Sequence, residues 1–261
     1  MIVDIEREDR VLTEVIQSLG PWKNFVVIGG GYALIIYKFY LADRFLGNPP
    51  VGTRDIDSLL PRRIHNPPKN DIAELLAASG FKHMPKDLDT PPTESFTKEI
   101  GGIEVEIEFL TDNQVRENKH RNVSIAGIVA QPLSYLEMSL EQTLRFRTLS
   151  NEQGLVVSPG AWLFHKGLTF TRRTSDSKML KDLYGIWYLA SQLGPFSIQA
   201  ISLFKDLALK HPKWYGTFRK NLELWIEEAT PLAWTLLQTQ DPFAELKRPL
   251  FIKLINDALK V

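Results

Sequence analysis

The sequence predicts an α+β protein in two parts: a sheet-forming domain over residues 1–150 and a helical domain over residues 151–261. Three observations predict it. Short β-branched or alternating runs, punctuated by Gly and Pro, recur up to about Ser150. From Pro159 onward the apolar residues recur at helical spacing. A chain of 261 residues is long enough for one large domain or two modest ones.

Each element has its own signal. Val11, Leu12, Val15, Ile16 and Leu19 share a helix face, and Gly20-Pro21 stops that helix. Phe25 to Ile28 is a short apolar strand, expected to be buried on both faces. Tyr32 to Phe45 is apolar nearly all round and predicts a central helix. Leu46 to Pro50 is a loop. Asp55 to Leu60 is the next strand, and Asp71 to Ser79 is a helix with Gly80 as its stop. Strands at Ser95 to Ile100 and Ile103 to Leu110 are joined by Gly101-Gly102, a dipeptide that favours a tight hairpin. In the second strand Ile103, Val105, Ile107 and Phe109 face one way, and Glu104, Glu106 and Glu108 the other. A short strand near Val123 to Val129 precedes a mixed region. Pro159 opens a helix to about Phe170. Later helices are predicted at Asp176 to Leu193, Ser197 to Lys210, Trp214 to Gln238 and Pro242 to Leu259. Trp187, Trp214, Trp225 and Trp234 in these helices read as core.

Composition narrows the function classes. Lys+Arg and Asp+Glu both number 31, so net charge points to neither a nucleic-acid nor a membrane partner. The sequence has no cysteine, which excludes disulfides, thiol catalysis and a zinc-cysteine site and fits a cytoplasmic protein. No apolar run has the length of a signal-peptide core or a membrane span, and no membrane association is expected.

Two stretches carry chemistry. Val26 to Leu34 is an apolar strand running through Gly29-Gly30-Gly31 into a helix. Without Cβ atoms, Gly30 and Gly31 let the backbone approach a phosphate closely. The helix that follows points its first N–H groups at the anion. Thr53 to Asp57 then places Asp55 and Asp57 on one face of a strand. Like charges so close raise each other's pKa unless a cation sits between them, and magnesium suits carboxylate, water and phosphate oxygens. Glu108, with Glu106 next on its face, offers a third acid. Three converging carboxylates suit in-line transfer at phosphorus.

In this order the motifs resemble the nucleotidyltransferase superfamily with the DNA-polymerase-β-type fold. Gly30, Gly31, Asp55, Asp57 and Glu108 take the places of its Gly-Gly turn, acid pair and third acid, and Thr53 matches the Thr that often precedes the pair. Glu108-Phe109-Leu110-Thr111 is similar to a run in one bacterial branch whose acceptor is unknown, which favours Glu108 over Glu106. Ala130 to Leu133, Val156 to Pro159, His165-Lys166, Lys178 and Lys181-Asp182-Leu183 continue that branch's signature. The later motifs are similar to those of abortive-infection nucleotidyltransferase toxins. The matching motifs lie between about residues 25 and 190. The spacing from Gly31 to Asp55 is long for the superfamily, the third acid is Glu rather than Asp, and Val51 stands where an Arg is common.

The resemblance implies a mixed sheet with flanking helices, followed by a helical half. It also implies an enzyme that moves a nucleoside monophosphate from a nucleoside triphosphate, such as ATP, to an acceptor hydroxyl. Asp55, Asp57 and Glu108 would be the catalytic acids and the ligands of Mg2+ or Mn2+. Gly30, Gly31, Thr53, Lys166 and Asp182 would bind the nucleotide, with Asp182 orienting Lys166 or Arg173. The acceptor stays open among tRNA, protein and a small molecule. A toxin-like role would bring a cognate antitoxin as partner. Arg62, Arg63, Arg172 and Arg173 are the arginines suited to an RNA backbone. The alternative from another class is a non-catalytic nucleotide-binding or interaction module that retains the fold. A glycosyltransferase reading of Asp55-Ile56-Asp57 leaves the glycine turn unexplained. A dinucleotide site lacks the third small residue and the later βαβ series.

Overall fold

The structure is a computed structural model describing residues 3–87, 91–113 and 122–261. It divides into two compact units. The sheet unit comprises Val3–Ile36 and Gly52–Val157, and the helical unit comprises Tyr37–Val51 and Ser158–Val261. The sheet thus extends past residue 150, and the helical unit takes in a segment from early in the chain.

In the sheet unit, α1 (Ile5–Ser18) is capped by Asp4, whose carboxylate accepts from the Glu6 N–H at 3.0 Å. Val11, Leu12, Val15 and Ile16 form its buried face, as the spacing predicts. Then come β1 (Val27–Ile28), α2 (Gly30–Ile36), β2 (Asp55–Leu59), α3 (Ile72–Ala78), β3 (Lys82–Pro85), β4 (Glu94–Ile100) and β5 (Ile103–Asp112). The unit ends with β6 (Val123–Ile125), β7 (Ile128–Leu133), α4 (Glu137–Glu141), β8 (Thr143–Arg147) and β9 (Gln153–Val157). Among the described residues the sheet is nine-stranded, in the order β3-β4-β5-β2-β1-β9-β8, with β7 joining β5 and β6 joining β7. It is mixed: β2–β5, β1–β9 and β5–β7 are parallel, and the other pairs antiparallel.

The β4–β5 hairpin turns at Gly101 and Gly102, with φ of +60° and +79°, a backbone that glycine adopts without steric cost. The β5 alternation holds, with Val105, Ile107 and Phe109 buried. The strands β3, β8 and β9 lie outside the predicted ones. The α-helix expected from Tyr32 to Phe45 begins at Gly30 and is regular only to Ile36. It continues as a π-helical turn, Tyr37–Leu41.

The helical unit contains α5 (Pro159–Thr169), α6 (Asp176–Ser191), α7 (Pro195–Lys210), α8 (Pro212–Glu228), α9 (Pro231–Gln238) and α10 (Arg248–Lys253). The helix expected over residues 214–238 is two helices, because Pro231 cannot continue α8. Thr230 caps α9 by accepting from the Ala233 N–H at 3.2 Å. Residues 242–247 are not helical. The Asp241 carboxylate accepts from the N–H groups of Phe243, Glu245 and Leu246 at 3.1, 2.6 and 2.8 Å, and winds the chain into a turn. Phe164, Phe204 and Phe218 pack with ring centroids 4.7–5.7 Å apart. Trp225, Trp234 and Phe251 form a second edge-to-face cluster. Trp187, Trp225 and Trp234 are buried, whereas Trp214 is half-buried, stacked on His211 at 4.4 Å.

Candidate active site

The site is built where the glycine turn meets the acid strand. The Gly29 N–H donates to the Asp57 carbonyl at 2.8 Å, which pins the turn to β2. Gly30 follows with φ +54°, and a Cβ there would lie 1.8 Å from Asp57 Oδ2. A Cβ on Gly31 would lie 2.8 Å from Thr53 Cγ2. The two glycines are therefore required by the close approach of Asp57 and Thr53, a constraint that precedes any phosphate. Thr53 Oγ1 accepts from the Asp55 N–H at 3.3 Å, tying the residue before the acid pair into the same corner. Gly30, Gly31, Thr53 and Asp57 thus converge. The turn and Thr53 are at least 22 residues apart along the chain, and they meet because β1 and β2 pair antiparallel, Ile28 beside Ser58.

The third acid comes from β5. In the parallel β2–β5 pair, Asp55 lies beside Glu106 and Asp57 beside Glu108. Paired residues of neighbouring strands point to the same face, so four carboxylates share one face. Ile56 and Ile107 turn into the core behind them and are fully buried. Like charges opposite one another destabilise a strand pair unless a cation intervenes.

Lys86, just past β3, reaches this face. Its ammonium lies 2.6 Å from Glu106 and is also hydrogen-bonded to Glu108. Burial pushes the Lys86 ammonium pKa down, but its hydrogen bonds to Glu106 and Glu108 more than reverse this and raise it. Burial likewise pushes the Glu106 carboxyl up, and the Lys86 partnership brings it below its ordinary value. Sequence reasoning passed over Lys86, which stands beyond a strand with no clear pattern. The usable signal is its ladder position. Its N–H donates to the Thr93 carbonyl at 2.8 Å, which extends the β3–β4 pairing and aims the side chain at the acids.

By chemistry the residues offer what a divalent cation takes: carboxylate oxygens on adjacent strands, that of Asp57 held against Gly30 where a Cβ would stand, with an ammonium as the cation on the same face. Among the described residues no three carboxylate or imidazole groups stand close enough together to enclose one ion. Beside Glu108 opens a cavity of about 270 Å³, lined by Lys86, Thr93, Glu94, Asn122 and Gln131 among others.

Lys166, Arg172 and Arg173 lie in the helical unit, and Arg62 and Arg63 in the sheet unit. Lys166 and Arg173 do not share a helix, since α5 ends at Thr169 and Arg173 is extended. Both nevertheless reach Asp182 on α6. Lys166 Nζ is 2.6 Å from Asp182 Oδ1, and Arg173 Nε is 2.7 Å from Oδ2. Lys166 and Asp182 are buried, and the Lys166 ammonium also lies 5.5 Å from the Trp162 ring centre. Burial pushes the Asp182 carboxyl up, but the two cations outweigh it and hold the carboxyl below its ordinary value. Of the arginines suited to RNA, Arg62 is turned inward, donating from Nε to the Asp112 carbonyl at 2.5 Å.

The sequence matches the nucleotidyltransferase family over residues 8–195. The chain belongs to that family. Nucleotidyltransferases use nucleoside triphosphates, and the matched span contains the glycine turn, all four acids, Lys86, Lys166 and Asp182. The chain is also similar to the crystal structure of an antigenic nucleotidyltransferase-like protein from Paracoccidioides brasiliensis. That likeness has 16% identity and a TM-score of 0.45, and covers 84% of this chain and 95% of that one. A search of the curated proteins finds no match. No helix among the described residues is long and apolar enough to cross a membrane.

Proposed function

We propose that this nucleotidyltransferase is a metal-dependent enzyme that moves a nucleoside monophosphate from a nucleoside triphosphate to an acceptor hydroxyl, using the acid face of β2 and β5. The observation that carries the reading is the interlock of Gly30 with Asp57, 1.8 Å from where a Cβ would stand. The turn and the acid pair are thereby built into one corner, where a triphosphate and its cation would meet. In the reaction the acceptor oxygen bonds to the α-phosphorus, and the bond from that phosphorus to the bridging oxygen breaks. Pyrophosphate leaves, and the hydroxyl proton passes to a base.

Asp55, Asp57 and Glu108 would hold Mg2+ or Mn2+, which when bound supplies charge that stabilises the attacking and leaving oxygens. Glu108, beside Asp57, takes either the last ligand position or the proton. Gly30, Gly31 and Thr53 receive the triphosphate. Lys166 and Asp182, paired at 2.6 Å within the helical unit, are the nucleotide-binding residues that the family resemblance adds. ATP is one such donor. The acceptor is RNA, protein or a small molecule, and a toxin-like role with a cognate antitoxin belongs to the same proposal.

A second reading, a nucleotide-binding module without catalysis, draws on the Lys86 ammonium held by Glu106 and Glu108. Transfer of label from α-labelled nucleoside triphosphates into a bacterial lysate, with Mg2+ or Mn2+, separates the two. Label incorporated by wild type and not by Asp55→Ala/Asp57→Ala supports the enzyme, and sensitivity to ribonuclease or protease gives the acceptor class. Binding without transfer to any acceptor favours the module.

A further inference from the structure

We propose that Lys86 is a resident counter-cation of the acid face that competes with the divalent ion, so that Lys86 sets the metal affinity of the site. This rests on the reading of Asp55, Asp57 and Glu108 as metal ligands.

The argument is one of occupancy and charge. Glu106 and Glu108 are two apart on β5, share a face, and lie beside Asp55 and Asp57. Left to themselves these acids repel. The ammonium of Lys86 bridges Glu106, at 2.6 Å, and Glu108, a position in which a cation relieves their repulsion. A carboxylate that a metal coordinates cannot keep an ammonium in the same place, and the two cations repel at that range. Divalent binding through Glu108 therefore requires the Lys86 head to move off.

The surroundings permit that movement. The Lys86 side chain is 35% exposed, and a lysine side chain carries four rotatable bonds, so the head can swing to water without moving β3. The backbone at Lys86 is meanwhile fixed: its N–H holds the Thr93 carbonyl, and the Asp87 carboxylate accepts from the Thr93 N–H at 3.0 Å. A fixed stem with a mobile head is what a displaceable counter-ion needs. The pair is also partly solvated, with Glu106 and Glu108 side chains 26% and 31% exposed. Its hold is thus weak enough for a divalent ion to overcome.

Manganese binding, measured by titration calorimetry without nucleotide, tests this on wild type, Lys86→Met, Lys86→Arg, Asp57→Asn and the pair Lys86→Met/Glu108→Gln. Lys86→Met should bind Mn2+ about tenfold more tightly than wild type, by removal of one competing charge. Lys86→Arg should stay near wild type because it keeps the charge. The gain should vanish when Glu108→Gln is also present. Binding detectable only in Lys86→Met supports the proposal equally. Unchanged or weaker binding in Lys86→Met, with binding lost in Asp57→Asn, overturns the role of Lys86 and leaves the metal site standing. No Mn2+ binding by wild type or by Lys86→Met removes the metal site, and the proposal with it. Circular dichroism and melting curves check that the variants fold, as expected for an exposed lysine.

Discussion

The Asp182 cluster of the helical unit and the acid face of the sheet unit both join opposed charges, and they are built on different principles. In the helical unit one carboxylate, Asp182, serves two cations and is 8% exposed. In the sheet unit two carboxylates, Glu106 and Glu108, share one ammonium, and the Lys86 side chain is 35% exposed. A buried pair cannot lose a partner cheaply, because the remaining charge is stranded in a medium of low polarity. A half-solvated cluster can, because water replaces what leaves. The Asp182 cluster therefore reads as a fixed anchor that orients Lys166. The acid face reads as a surface that exchanges its cation.

The largest expected effect breaks the acid face. Asp57→Asn should reduce nucleotidyl transfer by about a thousandfold or more, as loss of a charge-stabilising group at a reacting phosphate does. Its melting temperature should shift by no more than a degree or two, since Asp57 is half-buried. Label transfer and a thermal melt on one preparation check both. A large loss of stability would mean that the acid face is an anchor too, and the contrast would fail.

The reverse pattern is expected in the helical unit. Asp182→Ala strands the buried Lys166 ammonium and should cost about 3–5 kcal/mol of stability, read by urea unfolding. The same cluster sets a pH dependence. The Asp182 carboxyl lies below its ordinary 3.8 in the folded protein, so the unfolded chain binds the proton more readily. The stability it provides is fully present above 3.8. It is lost as pH falls from there through the lower folded value. Urea midpoints should hold steady down to about pH 5 and fall below 4 in wild type. Asp182→Asn should show a shallower fall.

How much of this was legible beforehand follows the nature of each signal. The acid pair, the glycine turn and the β5 alternation are local patterns, and a strand with period two states its own faces. Glu108 beside Asp57 is a matter of register between strands roughly fifty residues apart, which no local pattern fixes. Lys86 was missed because β3 is exposed along its whole length, and a strand without a buried face leaves no alternation to read. The helix expected over residues 242–259 begins only at Arg248, for a related reason, and ends in a π-helical turn at Leu254–Ala258. Its apolar spacing suits a helix throughout, but the buried Asp241 carboxylate takes the N–H groups of Phe243, Glu245 and Leu246 and winds residues 242–247 into a turn first. The glycines read as a phosphate turn from their lack of Cβ atoms, the helix that follows them and the family resemblance. The structure adds that Asp57 and Thr53 already need that space.

The smallest effect sharpens the comparison within the acid face itself. Glu106 and Glu108 share Lys86 and a face, yet they have different neighbours: Glu106 lies beside Asp55, and Glu108 beside Asp57. Asp57 is the acid enclosed by Gly30, whereas Asp55 is exposed. A ligand that coordinates Asp57 is therefore within reach of Glu108 first. Glu108→Gln should lower transfer by about a hundredfold, and Glu106→Gln by less than about tenfold. Neither should change the urea midpoint beyond the few tenths of a kcal/mol typical of solvated ion pairs. Single-turnover rates at saturating Mn2+ measure the ratio without confounding it with metal affinity. Equal losses would make the two glutamates one shared ligand pair, and a larger loss at Glu106 would move the reacting centre towards Asp55, at the exposed end of β2.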